Sequence, residues 1–279
     1  LTKEDYLVCP AKLPEFTECN YITHEETIKR MKQKPIKEIS IDKDFAFWIG
    51  FILSDGYIGP KVVGAVQKNY PKALDRFIEI SKSKYGFNIG VTTDKTECRN
   101  ARIYSKPLVE YLNLRFGIKT GKMKEIPAGF LAWDEGLVTE FLKAFIALEG
   151  NLDSNRITFT QKKKHDMNII RYMLLRLGIQ TWSRGGRINR FRIQGEDTGK
   201  YLKNVEWISE QDEIDPDRKT RSSFRVVPVD RQKVLKAVEL LGINSFHTLK
   251  ERGKKITEKP WYGSYKGIKE GEIVMSRDS

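Results

Sequence analysis

The chain has 279 residues, a net charge of +13 and 39% hydrophobic residues. That length suits one large or two small domains with a real apolar core, which excludes a disordered basic tail, and a pI near 9.5 with clustered Lys and Arg is the electrostatic footprint of a nucleic-acid binder. No secretion signal, membrane span, P-loop or dinucleotide fingerprint is visible, so the reading is an intracellular protein (cytoplasm, nucleoid or organelle matrix, not secreted) without ATP-driven or redox chemistry.

Residues 1–42 form a near-neutral, proline-containing lead-in of net charge −1, with a short strand expected around Tyr6–Val8 and a helix around Glu25–Gln33. Residues 43–222 carry +9 and residues 223–279 carry +5, so the positive excess is not spread evenly. Cys9, Cys19 and Cys98 are odd in number and scattered, which fits a reduced compartment. His24, His165 and His247 are equally dispersed, and no zinc-ligand spacing exists.

The central stretch repeats itself. Phe47 to Gly56 (FWIGFILSDG) and Phe141 to Gly150 (FLKAFIALEG) lie 94 positions apart and share Phe, a small residue (Gly50, Ala144), Phe-Ile, an acid (Asp55, Glu149) and Gly. Gln67-Lys68 follows Asp55 at the same offsets at which Gln161-Lys162 follows Glu149. A period this long is too great for a solenoid and marks a two-fold duplication, which divides the chain into a lead-in 1–42, halves 43–136 and 137–222, and a small basic appendage 223–279.

Each repeated segment is short and apolar nearly all round, so periodicity alone leaves buried helix and buried strand both open. The flanks favour helix. Asp42 or Asp44 can cap the first and Asp134 the second, while Gly56 and Gly150 occupy the place of a left-handed C-cap. Gly50 is costly within a helix and implies close approach of another backbone, with Ala144 as its counterpart. Asp55 and Glu149 then sit at negative helix ends and, brought together by pseudo-symmetry, repel each other. A divalent metal between them explains why both copies keep the acid, whereas two ordinary surface acids before C-cap glycines is the plainer alternative.

Beyond each motif lie strand-like stretches, Lys61–Gln67 and Arg156–Gln161. Thr181–Gln194 reads as a hairpin turning at Gly185-Gly186, with Arg184, Arg187, Arg190, Arg192 and Gln194 along it. The matching ribbon of the first half, near Asn88–Thr93 and Ala101–Ser105, brings Arg99 and Arg102. Arginine and glutamine on a ribbon suit base edges in the major groove. Singly, each of these arginines and Arg156 is as well explained by a phosphate contact or a solvated face. In the appendage, Asp230–Leu241 reads as an amphipathic helix, and the tail interleaves Lys with Trp261, Tyr262 and Tyr265.

Trp48–Gly56 and Leu142–Gly150 resemble the nine-position motif of LAGLIDADG homing endonucleases in their single-chain, two-motif form; the sixth position, often acidic there, is Leu53 and Ala147 here. The resemblance covers about residues 43–222. It implies an α/β (α+β) fold of two pseudo-two-fold αββαββα halves, motif helices at the interface and a basic β-saddle on double-stranded DNA, in a monomer acting as a pseudo-dimer. It also implies site-specific double-strand cleavage with Mg2+ (Mn2+ as a substitute) held by Asp55 and Glu149, and water or metal oriented by Gln67 and Gln161. Lys68, Lys162, Lys122 and Lys219 would stabilise charge at the phosphate, with Lys119 or Arg218 as alternatives to the last two. Lys3–Pro10 resembles the stretch that follows the splicing motifs of inteins, though the splicing residues are absent, so an intron or intein setting is the expectation. The rival reading is a LAGLIDADG-like nucleic-acid binder that has lost cleavage, as an RNA maturase or transcription factor. Such a binder needs neither the acids nor the glutamines.

Overall fold

A computed structural model describes residues 21–153, 156–183 and 190–208, together with the short strands 226–229 and 261–264. The chain divides into two compact units, 11–220 and a smaller one that joins 1–10 to 221–279. The expected strand at Tyr6–Val8, the appendage helix at Asp230–Leu241, and Arg184, Arg187, Arg218 and Lys219 lie outside the described residues.

In the larger unit, α1 (His24–Arg30) is closed at its start by a capping box of Thr23 and Glu26. Then follow α2 (Lys43–Leu53), β1 (Gly56–Ile58), β2 (Val62–Gln67), α3 (Pro71–Glu79), β3 (Ile89–Thr93), β4 (Arg99–Tyr104) and α4 (Lys106–Phe116). After a linker containing two 3-10 turns the order recurs. It runs α5 (Glu135–Glu149), β5 (Gly150–Asp153), β6 (Arg156–Thr160), α6 (Lys164–Arg176), β7 (Trp182–Ser183), β8 (Arg190–Gln194) and α7 (Glu196–Asn204). Both halves are αββαββα, and both sheets are antiparallel with the equivalent strand order, β1-β2-β4-β3 and β5-β6-β8-β7. This duplicated α/β topology is the one the motif resemblance implies. The smaller unit shows an antiparallel pair of β9 (Val226–Val229) and β10 (Trp261–Ser264).

The repeated segments are helices for the reasons their flanks give. Asp42 accepts from the Phe45 amide at 3.1 Å and Asp134 from the Leu137 amide at 2.9 Å, each satisfying an orphan N–H of the first turn. Every residue from Phe45 to Leu53 is buried, so α2 is the central rod of the core. Phe45, Trp48 and Phe51 stack on Phe116, Phe77, Tyr85 and Phe87, and Trp48 Nε1 donates to Ser81 Oγ at 2.8 Å so that its buried polar atom is not left unpaired.

α2 and α5 pack on each other where the sequence places Gly50. A Cβ there would lie 2.7 Å from the Phe141 carbonyl oxygen and 3.3 Å from Ala144 Cβ. The two motif glycines, by contrast, are not left-handed caps. Gly56 opens β1, and Gly150 has φ −107°. Their common cause is crowding: the chain turns from helix straight into strand across the last helical turn, and a Cβ would stand 2.6 Å from Ile52 O at Gly56 and 2.5 Å from Ile146 O at Gly150.

Candidate active site at the ends of the paired helices

Asp55 lies two residues past the end of α2, and Glu149 is the last residue of α5. Each acid is bonded to the glutamine of its own half. Gln67 Nε2 donates to Asp55 Oδ2, and Gln161 hydrogen-bonds Glu149. Gln67 is buried, on the helix side of β2 at the end of the strand.

Burial raises the Asp55 carboxyl above the usual range against the opposing pull of the Lys124 charge and the Gln67 bond. Glu149 is pushed up to about 7, first by burial and next by the negative charge of Asp55, with Lys124 opposing. The two acids therefore feel each other, as the duplication implies, in a setting that disfavours both charges.

A lysine from the linker between the halves completes the site. Lys124 Nζ donates to the carbonyl oxygens of Ile52, Ser54 and Gly56 at 2.8, 3.2 and 2.6 Å. These are the last, intrahelically unpaired carbonyls of α2 and the first of β1, so the ammonium neutralises the negative end of the motif helix beside Asp55. Burial pulls its pKa down to about 8, while Glu149, Asp55 and Asp166 favour its charge.

The linker lysine that reaches the acids is thus Lys124, two residues beyond Lys122. Lys122 is exposed on the 3-10 turn Gly121–Met123, and Lys119 is exposed before it. The only sequence signal is indirect: Lys124 precedes Glu125-Ile126-Pro127, where an apolar residue and a proline fix the path of the chain. Lys68 is exposed beside Glu97 at 3.9 Å, and Lys162 is exposed next to Gln161.

The predicted DNA-contacting residues divide by strand face. In β4, Arg102 stands on the outer face with Asn100 and Tyr104; its Nε donates to Asn100 Oδ1 at 3.0 Å and Nη1 to Tyr104 Oη at 3.4 Å. Tyr57 lies across Gly64 in the same row and donates to Asn100 Oδ1 at 3.3 Å. Arg99 is three residues from Arg102 and so on the opposite, helix side, where it pairs with Asp75 of α3 at 2.8 Å. In the second sheet Arg156, Arg190, Arg192 and Gln194 share one outer face, because their register partners are Gln194, Thr160, Thr158 and Arg156. The alternate residues Ile157, Phe159, Phe191 and Ile193 are buried.

Could this donor set hold Mg2+? Mg2+ is commonly bound through one or two carboxylates, with water and substrate phosphate oxygens filling the remaining positions. Asp55 and Glu149 match that pattern, and the burial and mutual repulsion that raise Glu149 are what a cation would relieve. Among the described residues no group of three or more His, Cys, Asp or Glu forms a self-sufficient metal cage.

No family model matches the chain. It is 26% identical over 223 residues to an A-type ATP synthase subunit of Pyrococcus abyssi, a match covering 75% of this chain and 21% of that one. The chain thus spans about a fifth of the length of that relative. Among solved structures, it is similar to I-DmoI in complex with DNA and Mn at 17% identity, covering 60% of this chain and 98% of that one, with a TM-score of 0.44. It is also similar to full-length DUF199/WhiA from Thermatoga maritima at 14% identity, covering 82% and 74%, with a TM-score of 0.45.

Proposed function

We propose that this chain is a site-specific, Mg2+-dependent endonuclease that makes double-strand breaks in duplex DNA. The observation that carries the reading is the pair Asp55 and Glu149. They lie at the ends of two helices packed together, each is bonded to a glutamine of its own half, and both are raised by burial. A fold needs no such arrangement, and keeping two desolvated acids in mutual range works against stability.

In this reading the outer sheet faces, with Arg102, Arg156, Arg190, Arg192 and Gln194, form a saddle that holds the duplex through phosphates and base edges. Asp55 and Glu149 would hold Mg2+, which supplies Lewis-acid activation of the scissile phosphate and of water. Gln67 and Gln161 orient the carboxylates through their amides. Lys124, with Lys68 and Lys162 near the phosphate path, offsets negative charge as the phosphate becomes five-coordinate. Lys219 is the corresponding candidate of the second half. Because the halves lie in one chain, a monomer would present two strand-cutting centres about one pseudo-axis. The match to a fifth of a much longer protein fits an endonuclease embedded in a host chain, as in an intein.

The test is incubation with a plasmid library of randomised sites in Mg2+ and, in parallel, in Ca2+, with sequencing of the ends. Discrete double-strand cuts in Mg2+ alone support the reading. Tight, salt-dependent binding with no cuts in either metal assigns the chain to the binder class instead.

A further inference from the structure

The linker that delivers Lys124 does not find its course by itself. Three successive residues, Lys124 to Ile126, are fastened to the first turn of α6 in the second half. Asp166 Oδ1 accepts from the Ile126 amide at 2.8 Å, and His165 Nε2 lies 2.9 Å from the Ile126 carbonyl. A carbonyl only accepts, so that ring nitrogen carries the proton. Lys163 Nζ donates to the Lys124 carbonyl at 2.7 Å and pairs with Glu125 at 3.2 Å. Further along, Arg176 at the other end of α6 donates to the Leu131 carbonyl at 2.6 Å.

Two features separate this clamp from ordinary helix capping. Asp166 is buried, 7% exposed, and its bond is made to a segment 40 residues away rather than to its own helix. At the 94-residue offset of the duplication, Asp166 and His165 correspond to Lys72 and Pro71. Lysine and proline side chains carry no acceptor for an amide and no ring N–H, so the first half cannot make this contact. The halves share their fold without it. The half that has it spends it on the three residues that fix where the Lys124 side chain leaves the backbone.

We propose that Asp166, with His165 and Lys163, is a positioning group for Lys124: α6 of the second half sets the place of the ammonium at the end of the first half's motif helix. The inference rests on the endonuclease reading only for its catalytic consequence. The placement itself can be measured without cleavage.

The experiment compares the intact chain with Asp166→Ala, Asp166→Asn and His165→Ala. Each protein is labelled with an acetylating reagent in the absence of DNA, and the rate at Lys124 is read by mass spectrometry against Lys84 and Lys200. Asp166→Ala should raise labelling of Lys124 about tenfold or more with the reference lysines unchanged. Asp166→Asn, which keeps an acceptor oxygen, should restore protection. Unchanged Lys124 labelling in a folded Asp166→Ala protein overturns the inference. Should that variant not fold, His165→Ala, altered at the exposed edge of the clamp, decides the point by the same readout. On the site recovered from the library, Asp166→Ala should slow cleavage at least tenfold at unchanged DNA affinity, but cause no further loss in a Lys124→Met background. A further loss in that background shows Asp166 acting other than through Lys124. If the intact protein cuts nothing, the endonuclease reading fails while the labelling still decides the clamp.

Discussion

Gly50 of α2 and Phe141 of α5 meet backbone to backbone: the space a Cβ would take at Gly50 is 2.7 Å from the Phe141 carbonyl oxygen, and the far side is closed by Ala144 Cβ at 3.3 Å. Helix propensity alone favours Gly50→Ala by about 1 kcal/mol. The contact reverses that sign, because the methyl meets a backbone oxygen that cannot rotate away. Overpacking of this kind costs roughly 1–3 kcal/mol. Gly50→Ala should therefore lower the urea midpoint, with a larger loss for Gly50→Val. Ala144→Gly should not rescue Gly50→Ala, since the Phe141 oxygen stays where it is.

The two acids should separate binding from cutting. Asp55→Asn and Glu149→Gln each keep the shape and the glutamine contact of the original side chain but remove the charge that a metal requires. Both should abolish Mg2+-dependent cleavage by a factor of about 1000 or more, as loss of a metal-holding carboxylate from a shared centre implies. DNA affinity measured in Ca2+-free buffer should stay within a few-fold of the parent. Parallel loss of affinity and of the thermal transition would show that these acids serve the fold.

Much of this architecture is legible in the residues alone. The 94-residue repeat, the Asp42 and Asp134 caps and the approach at Gly50 all follow from local chemistry, and the structure shows each of them. The left-handed caps expected at Gly56 and Gly150 are not there. A glycine after a helix satisfies either a positive φ or a crowded helix-to-strand passage, and sequence alone does not separate the two. Lys124 escapes a sequence reading because Lys119, Lys122 and Lys124 share one linker without periodicity, and the choice among them is made by contacts with α6, some forty residues further on. The split between Arg99 and Arg102 is available from sequence: two strand residues three apart must face opposite ways.

That split makes a direct comparison. Arg102 stands on the outer sheet face, whereas Arg99 is held by Asp75 on the helix side. In the saddle reading, Arg102→Ala weakens DNA binding and lowers the slope of log K against log salt by about 0.9, one phosphate's worth of released counterion. If Arg102 reads a base instead, the slope holds and specificity relaxes at one position. Arg99→Ala should leave both nearly unchanged and cost at most about 1 kcal/mol of stability, the usual value of a partly exposed ion pair. Fluorescence-anisotropy titrations at three salt concentrations distinguish the two variants.

The site should also impose a stability minimum near neutral pH in the absence of metal. Glu149 rises from the ordinary 4.5 to about 7 on folding, so the folded state holds the proton more tightly. Its contribution is complete below about pH 4.5 and is lost as pH climbs through 7. Lys124 falls from 10.5 to about 8, so here the unfolded chain binds the extra proton, and stability recovers as pH rises from 8 toward 10.5. Each effect is on the order of 1–3 kcal/mol. Chemical denaturation in EDTA from pH 4 to 10.5 should show the trough at about 7–8. Glu149→Gln should remove its acid wall and Lys124→Met its alkaline wall. Mg2+ should raise the melting temperature more at pH 7.5 than at pH 5, because only the ionised carboxylate binds it. A flat profile in the intact protein, or identical Mg2+ effects at the two pH values, would mean that neither side chain is as desolvated as the packing at the ends of α2 and α5 requires.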